Sequence, residues 1–258
     1  MPQTPQTVLS DQNPLVKQVR RAIAKGALTD DGYALAEGPH LLEEALASGC
    51  EIGAVLAAES FADRLPPLNE TRTVVLKDRT FHALASTENP QGVMALVRPS
   101  ACAIEAMMER ALIVAIDGVQ DPGNAGAMLR AAEAFGATGA VFLKGSANPY
   151  NPKAMRASAG SIFRLAVIAH MDEHTFIGAL SGHGIARYAA APRGGRMIGD
   201  VDLKGPCAIV IGAEGKGVSA MLLDGSVPIR IPTMKVESLN AAVAAGVILY
   251  EAQRQRLR

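Results

Sequence analysis

The chain has 258 residues, enough for one large α/β domain or two smaller ones, and 49% of them are hydrophobic, so a sizeable core is available. Its 25 basic and 25 acidic residues cancel, which removes a global field for nucleic acid and leaves only local basic patches to attract it. With no Trp and 4% aromatics, the composition argues against a surface of stacking platforms for single-stranded bases.

In chain order, Met1–Ser10 lacks the basic start and apolar run of a signal peptide. Up to residue 98, charged helical segments (Pro14–Ala24, Pro39–Ser48) alternate with short apolar runs at Tyr33–Leu35, Ile52–Leu56, Thr73–Leu76 and Val93–Val97. This pattern predicts a small α/β domain over residues 1–98. Residues 99–110, with Pro99, Ser100 and a Glu/Met-rich piece, read as a linker.

A second domain is predicted over 111–258. Its buried-strand candidates are Ala111–Ile116, Ala140–Leu143, Leu165–Ala169, Ile185–Ala189, Cys207–Ile211 and Val227–Ile231. They are almost continuously apolar, as in a parallel sheet covered on both faces. Helices are expected at Asn124–Phe135, Pro152–Ala159, Glu173–Leu180 and Leu239–Arg256. The fold class is therefore α/β, an open parallel sheet with functional loops at the carboxyl ends of its strands.

No uninterrupted apolar stretch reaches the roughly 18 residues of a membrane span. Cys50, Cys102 and Cys207 show neither metal-ligand spacing nor a disulfide framework, which suits a reducing cytoplasm. The five histidines, His40, His82, His170, His174 and His183, follow no metal spacing, so no metal is expected. Candidate basic patches are Lys17, Arg20, Arg21 and Lys25; Arg193 and Arg196; and Arg254, Arg256 and Arg258. Taken singly, each also reads as a solvated surface group.

Three segments carry chemistry. In Asp117–Arg130, a strand ends and a helix opens with Asp121 as N-cap and Pro122 at its first position. Its N-terminus suits an anion, and Arg130 could hold a phosphate bidentately. The alternative is a plainly capped helix with an Arg130–Glu133 surface pair. In Ile209–Gly217, a buried strand runs into Gly212, Gly215 and Gly217, which permit exposed backbone N–H groups. The spacing fits neither a Walker A loop nor the dinucleotide fingerprint, and a tight turn alone would also use these glycines. Glu214 within it is the unusual residue, placed to orient something. In Val227–Asn240, two prolines and the helix-start residues Ser238 and Asn240 precede a helix apolar nearly all round. That helix must be buried on the sheet and against a second subunit. Gly246 inside it suggests close packing, since it costs about 1 kcal/mol relative to Ala.

Together with Asn151–Gly160, these segments stand in the order of the SpoU RNA 2′-O-ribose methyltransferases of the knotted SPOUT class, and Ala111–Glu251 resembles that family. The first half is similar to the L30e-like substrate-binding domain often fused to it, through Asn13-Pro-Leu-Val-Lys17, Glu37-Gly-Pro-His-Leu-Leu42 and Asn89-Pro-Gln-Gly92. It departs from that pattern in lacking basic residues over Gly26–Gly32.

The resemblance implies a deep carboxyl-terminal trefoil knot, a homodimer through the last helix, and S-adenosylmethionine bound among three loops. Those loops supply Tyr188, Ala189 and Ala190; Gly212, Ala213, Glu214, Gly215 and Gly217; and Ile231, Pro232, Met234, Ser238 and Leu239. The family's active-site residues match Asn124, Arg130, Glu214, Ser238 and Asn240. RNA would meet Lys17, Arg20, Arg21, Arg130, Lys153 and Arg156. The implied activity is ribose methylation of structured RNA, ribosomal RNA first and transfer RNA second, in the cytoplasm. A silent RNA-binding protein of the same fold and a nucleotide-cofactor oxidoreductase are the rival readings. The intact polar set argues against the first, and the late glycine turn against the second.

Overall fold

The structure is a computed structural model describing residues 6–8, 13–68 and 71–257; Arg258 and, apart from 6–8, the Met1–Ser10 segment lie outside it. The chain divides into two compact units, Met1–Ser100 with Tyr150–Phe163, and Ala101–Pro149 with Arg164–Arg258.

The first unit holds β1 (Gln6–Val8), α1 (Pro14–Lys25), β2 (Ala34–Glu37), α2 (Pro39–Ala47), β3 (Ile52–Ala58), β4 (Thr73–Leu76), α3 (Asp78–Leu84) and β5 (Val93–Val97). Its mixed sheet has the order β1-β4-β3-β5-β2, with β5 antiparallel to both β3 and β2. The start of α1 is set locally: Asn13 caps the amide of Leu15 at 2.9 Å, and Pro14 follows where no N–H is needed. Gly26 ends the helix in the left-handed region at φ 58°. The one strand not expected from the sequence is the three-residue edge strand β1, too short to show periodicity.

The second unit begins with β6 (Leu112–Asp117), α4 (Pro122–Ala134) and β7 (Gly139–Leu143). The chain then supplies α5 (Pro152–Ser158) to the first unit before continuing with β8 (Val167–Met171), α6 (Glu173–Gly182), β9 (Ala186–Ala190), β10 (Arg196–Met197), β11 (Cys207–Gly212), α7 (Ala220–Leu223), β12 (Val227–Arg230) and α8 (Ala241–Arg256). Seven strands in the order β10-β12-β9-β11-β6-β7-β8 form an all-parallel sheet, as the continuous apolar runs predicted. All six residues of β6 are buried, and every residue of β7 as well. Only β10, a two-residue edge strand, escaped the sequence pattern.

Residues 101–110 are more than a tether. Ile104 and Met107 are buried in the second unit's core, and Met107 lies where a side chain at Gly139 would stand. Around α8 the sequence expectation needs one correction. A Cβ at Gly246 would meet only the Ala131 Cβ at 3.9 Å, so no close approach requires this glycine. The long apolar helix is buried on one side through Ala241, Ala245, Ile248, Leu249 and Ala252. On another face it leaves Val243, Val247 and Tyr250 exposed.

Candidate active site

The site lies beyond the carboxyl ends of β6, β9, β11 and β12, where three loops meet. From β6, the chain turns through Gly118 into α4, whose N-terminus forms as expected: Asp121 accepts the amide of Asn124 at 2.9 Å and Pro122 opens the helix. Asp117, buried at the end of β6, accepts the Ser219 amide at 2.7 Å and so anchors the loop that follows β11.

After β11 the backbone doubles back on itself. The Gly217 amide donates to the Ala213 carbonyl at 2.9 Å, closing a turn with Glu214, Gly215 and Lys216 at its tip. Gly215 and Gly217 have φ of 87° and 71°. At Gly212, a Cβ would stand 2.1 Å from the Gly217 carbonyl carbon, so only glycine permits the returning chain. After β12, the loop 231–240 ends at Asn240, whose Oδ1 caps α8 by accepting from Ala242 and Val243 at 3.0 and 3.3 Å.

These three loops are joined by one polar chain. Asn240 Nδ2 donates to Asn124 Oδ1 at 3.1 Å, and Asn124 Nδ2 donates to Glu214 Oε1 at 2.5 Å. The helix amides fix which end of Asn240 faces inward, and this in turn orients Asn124 toward the carboxylate. Glu214, at the tip of the glycine turn, is thus the acceptor at the end of this chain. Arg130, two turns along α4, is exposed, and its side chain forms no ion pair or hydrogen bond with another described residue. The alternative surface pair with Glu133 is absent because Glu133 is bound by Arg164.

Beside this chain lies a cavity of about 600 Å³. Ala190, Gly212, Ala213, Glu214, Gly215 and Gly217 form part of its wall, joined by Ile231, Ser238 and Leu239. Four other residues of the expected set stand elsewhere. Tyr188 donates its hydroxyl to the Asp202 carbonyl at 2.9 Å, Ala189 is wholly buried within the sheet, and Pro232 and Met234 face solvent. Burial also pushes the Tyr188 phenol above its ordinary value.

The sequence reading missed Ala244 and Ile248 on the wall, although they follow Asn240 at intervals of four along one helix face. It also missed Leu223, Lys216 and Glu237. Arg193, expected as part of a basic patch, meets Glu237 at 2.5 Å on the cavity rim. An enclosure of this size, with apolar walls, a few polar groups and the bared backbone of Gly212–Gly217, fits a nucleoside-sized ligand.

The other expected RNA contacts lie on two helices of the first unit. Lys17, Arg20 and Arg21 are exposed on α1, Arg21 pairing with Asp30 at 3.1 Å. Lys153 and Arg156 lie on α5 in the first unit, where Arg156 donates to Ser86 Oγ at 2.6 Å and reaches the buried Glu37 at 3.4 Å. At the carboxyl end, Arg254 is held by Glu251 and Arg256 by backbone carbonyls, which takes both out of the basic patch. Among the described residues, no three metal-ligating side chains gather, and no helix is long and apolar enough to cross a membrane.

The geometry defines a parallel α/β protein with a nucleoside-sized cavity walled by late loops. Comparison with known proteins makes the class specific: residues 111–250 match the SpoU rRNA methylase family, and residues 13–95 match the MRM3-like substrate binding domain. The chain belongs to the SpoU rRNA methylase family, whose fold is that of the knotted SPOUT methyltransferases. It is 32% identical over 97% of its length to an uncharacterized tRNA/rRNA methyltransferase of Synechocystis, covering 94% of that protein. It is also 32% identical, over 93% of its length and 96% of the relative, to the 23S rRNA (guanosine(2553)-2′-O)-methyltransferase RlmP of Bacillus subtilis. Among solved structures, the AdoMet-bound rRNA methyltransferase of Sinorhizobium meliloti aligns with TM-score 0.85 at 26% identity, covering 96% of this chain and 97% of that one.

Proposed function

We propose that the chain methylates a ribose 2′-hydroxyl of ribosomal RNA, with S-adenosylmethionine as donor, in the cytoplasm. Transfer RNA is the second substrate class to examine. The hydrogen-bonded chain Glu214–Asn124–Asn240 carries this reading, because it ties together the three loops around the donor-sized cavity. The donor, when bound, supplies an electrophilic methyl group, so the protein's tasks are alignment and disposal of the hydroxyl proton.

Ile231, Leu239, Ile248 and the bared Gly212–Gly217 backbone would hold the donor. Arg130 would clamp an RNA phosphate bidentately, leaving a phosphate oxygen or water to accept the proton. Ser238, on the cavity wall, would orient the ribose.

The first unit is read as the substrate-binding part and the second as the catalytic part. A second copy would cover the exposed Val243, Val247 and Tyr250 face of α8, making a homodimer. The decisive experiment incubates the purified protein with S-adenosylmethionine and ribosomal RNA, then maps ribose methylation. One discrete methylated position, absent from RNA of cells lacking the gene, is the expected result. Donor binding without methylation of any cellular RNA would replace this reading with a silent RNA-binding role.

A further inference from the structure

The first unit has its own cavity, of about 590 Å³, lined by none of the residues assigned to methyl transfer. Gly53, Ala54 and Leu96 give it an apolar lining on one side of its wall. One wall is Tyr33, which is locked in place. A side chain at Gly53 would meet the Tyr33 ring at 2.6 Å, the Arg98 guanidinium lies 4.1 Å from its centroid, and its hydroxyl donates to Glu51 at 2.9 Å.

The remaining wall mixes paired acceptors with paired donors. Gln18 Nε2 donates to Asp31 Oδ2 at 2.6 Å, which steadies that carboxylate while leaving its other oxygen without a partner among the described residues. Arg21 stands 3.1 Å from Asp30, and both side chains are more than half exposed, so this ion pair contributes little and opens at small cost. Arg72 completes the wall.

Guanine presents two N–H donors on its Watson–Crick edge and two acceptors, O6 and N7, on its other edge. A carboxylate matches the first edge and a guanidinium the second. Adenine offers one donor beside an acceptor on each edge and leaves a carboxylate facing a lone pair. Lys17, exposed one helical turn before Arg21, adds a cation to the same helix and would favour the phosphate of such a nucleotide.

We propose that this cavity receives one unpaired guanine of the substrate RNA, bound by Asp31 and by the guanidinium group of Arg21. It is an anchor for a nucleotide other than the one methylated. The inference rests on the reading of the protein as an RNA enzyme, and it assigns a base preference to its first unit.

The test uses the isotopically labelled full chain with guanosine 5′-monophosphate and adenosine 5′-monophosphate as probes, followed by backbone amide NMR. The guanosine probe should shift the amides of Gln18, Asp31 and Gly53 and bind at least about fivefold more tightly than the adenosine one. Asp31→Asn should abolish that preference and raise KM for RNA, with kcat and S-adenosylmethionine affinity unchanged. Equal binding of both probes, or an unaltered preference in Asp31→Asn, overturns the proposal. A chain that methylates RNA yet shows no guanosine preference removes this inference alone. A guanosine preference that persists without methylation of any RNA supports the pocket and removes the enzymatic reading.

Discussion

Asn240 uses its two side-chain atoms in opposite directions: Oδ1 accepts the first amides of α8, and Nδ2 donates to Asn124 Oδ1 at 3.1 Å. One residue thus starts the last helix and orients the side chain that faces Glu214. Capping and orientation can be separated by Asn240→Asp, because Asp caps as well as Asn but presents no donor to Asn124. The expected outcome is an unfolding midpoint close to wild type, with methyl transfer reduced roughly 10- to 100-fold in single turnover, the scale of a misplaced alignment group. A normal rate in this variant would show that the Asn124 orientation is irrelevant.

Arg130 stands exposed without an internal partner, so replacing it should leave stability almost unchanged. Arg130→Lys keeps the charge but loses the planar fork. Single-turnover rates should fall by at least about tenfold for Lys and further for Ala, each hydrogen bond to a charged group being worth roughly 1.5–3 kcal/mol. Near-normal rates for Arg130→Lys would mean that a point charge suffices and that no bidentate clamp exists.

Arg256 closes the carboxyl end of α8 by donating to the carbonyls of Leu203, Arg110, Ala111 and Gly205 at 2.7–3.2 Å. In Arg256→Ala the carbonyls of Leu203, Arg110 and Gly205 lose this donor, while that of Ala111 keeps the Cys207 amide at 2.9 Å. Urea denaturation should show a loss of about 2–4 kcal/mol, with S-adenosylmethionine affinity retained under native conditions.

Gly246 gives the opposite result. Its missing Cβ would find ordinary contact distance to Ala131, so Gly246→Ala should stabilise the chain by up to about 1 kcal/mol through helix propensity alone. A higher urea midpoint at unchanged slope is the expected observation.

Acid should loosen the Tyr33 wall of the first-unit cavity. The Arg98 guanidinium, and then the Tyr33 hydroxyl, hold the Glu51 carboxyl below its ordinary value of 4.5. A depressed folded-state value stabilises above the unfolded one, and that contribution disappears as pH falls through the folded value. Wild type should therefore lose stability more steeply than Arg98→Ala as pH falls below about 4.5, measured by urea unfolding at each pH.

Much of this architecture was legible from apolar runs. The strands from β6 to β12, β10 excepted, sit within a few residues of their expected places because a sheet covered on both faces leaves no alternation to misread. The caps Asp121 and Asn240 were legible for the same local reason. The site was only partly so. Glycine turns announced exposed backbone, yet Leu223, Ala244 and Ile248 reach the cavity from helices whose apolar residues look alike in the sequence. The fate of Arg156 and Arg256 was equally hidden, since a basic residue bound by a buried carboxylate or by carbonyls has the same letter as a solvated one.

The excursion Tyr150–Phe163 sets the order in which this protein can mature. Helix α5 packs on β2 with Pro152, Ala154, Met155 and Ser158 buried, and Arg156 reaches Glu37. During synthesis the first unit therefore waits, one helix short, until about residue 163 has left the ribosome, by which time β6, α4 and β7 have already emerged. A fragment cut at Ser100 would therefore carry a β2 that has lost α5 and keeps only α1 and α2 as helical cover, instead of a finished domain.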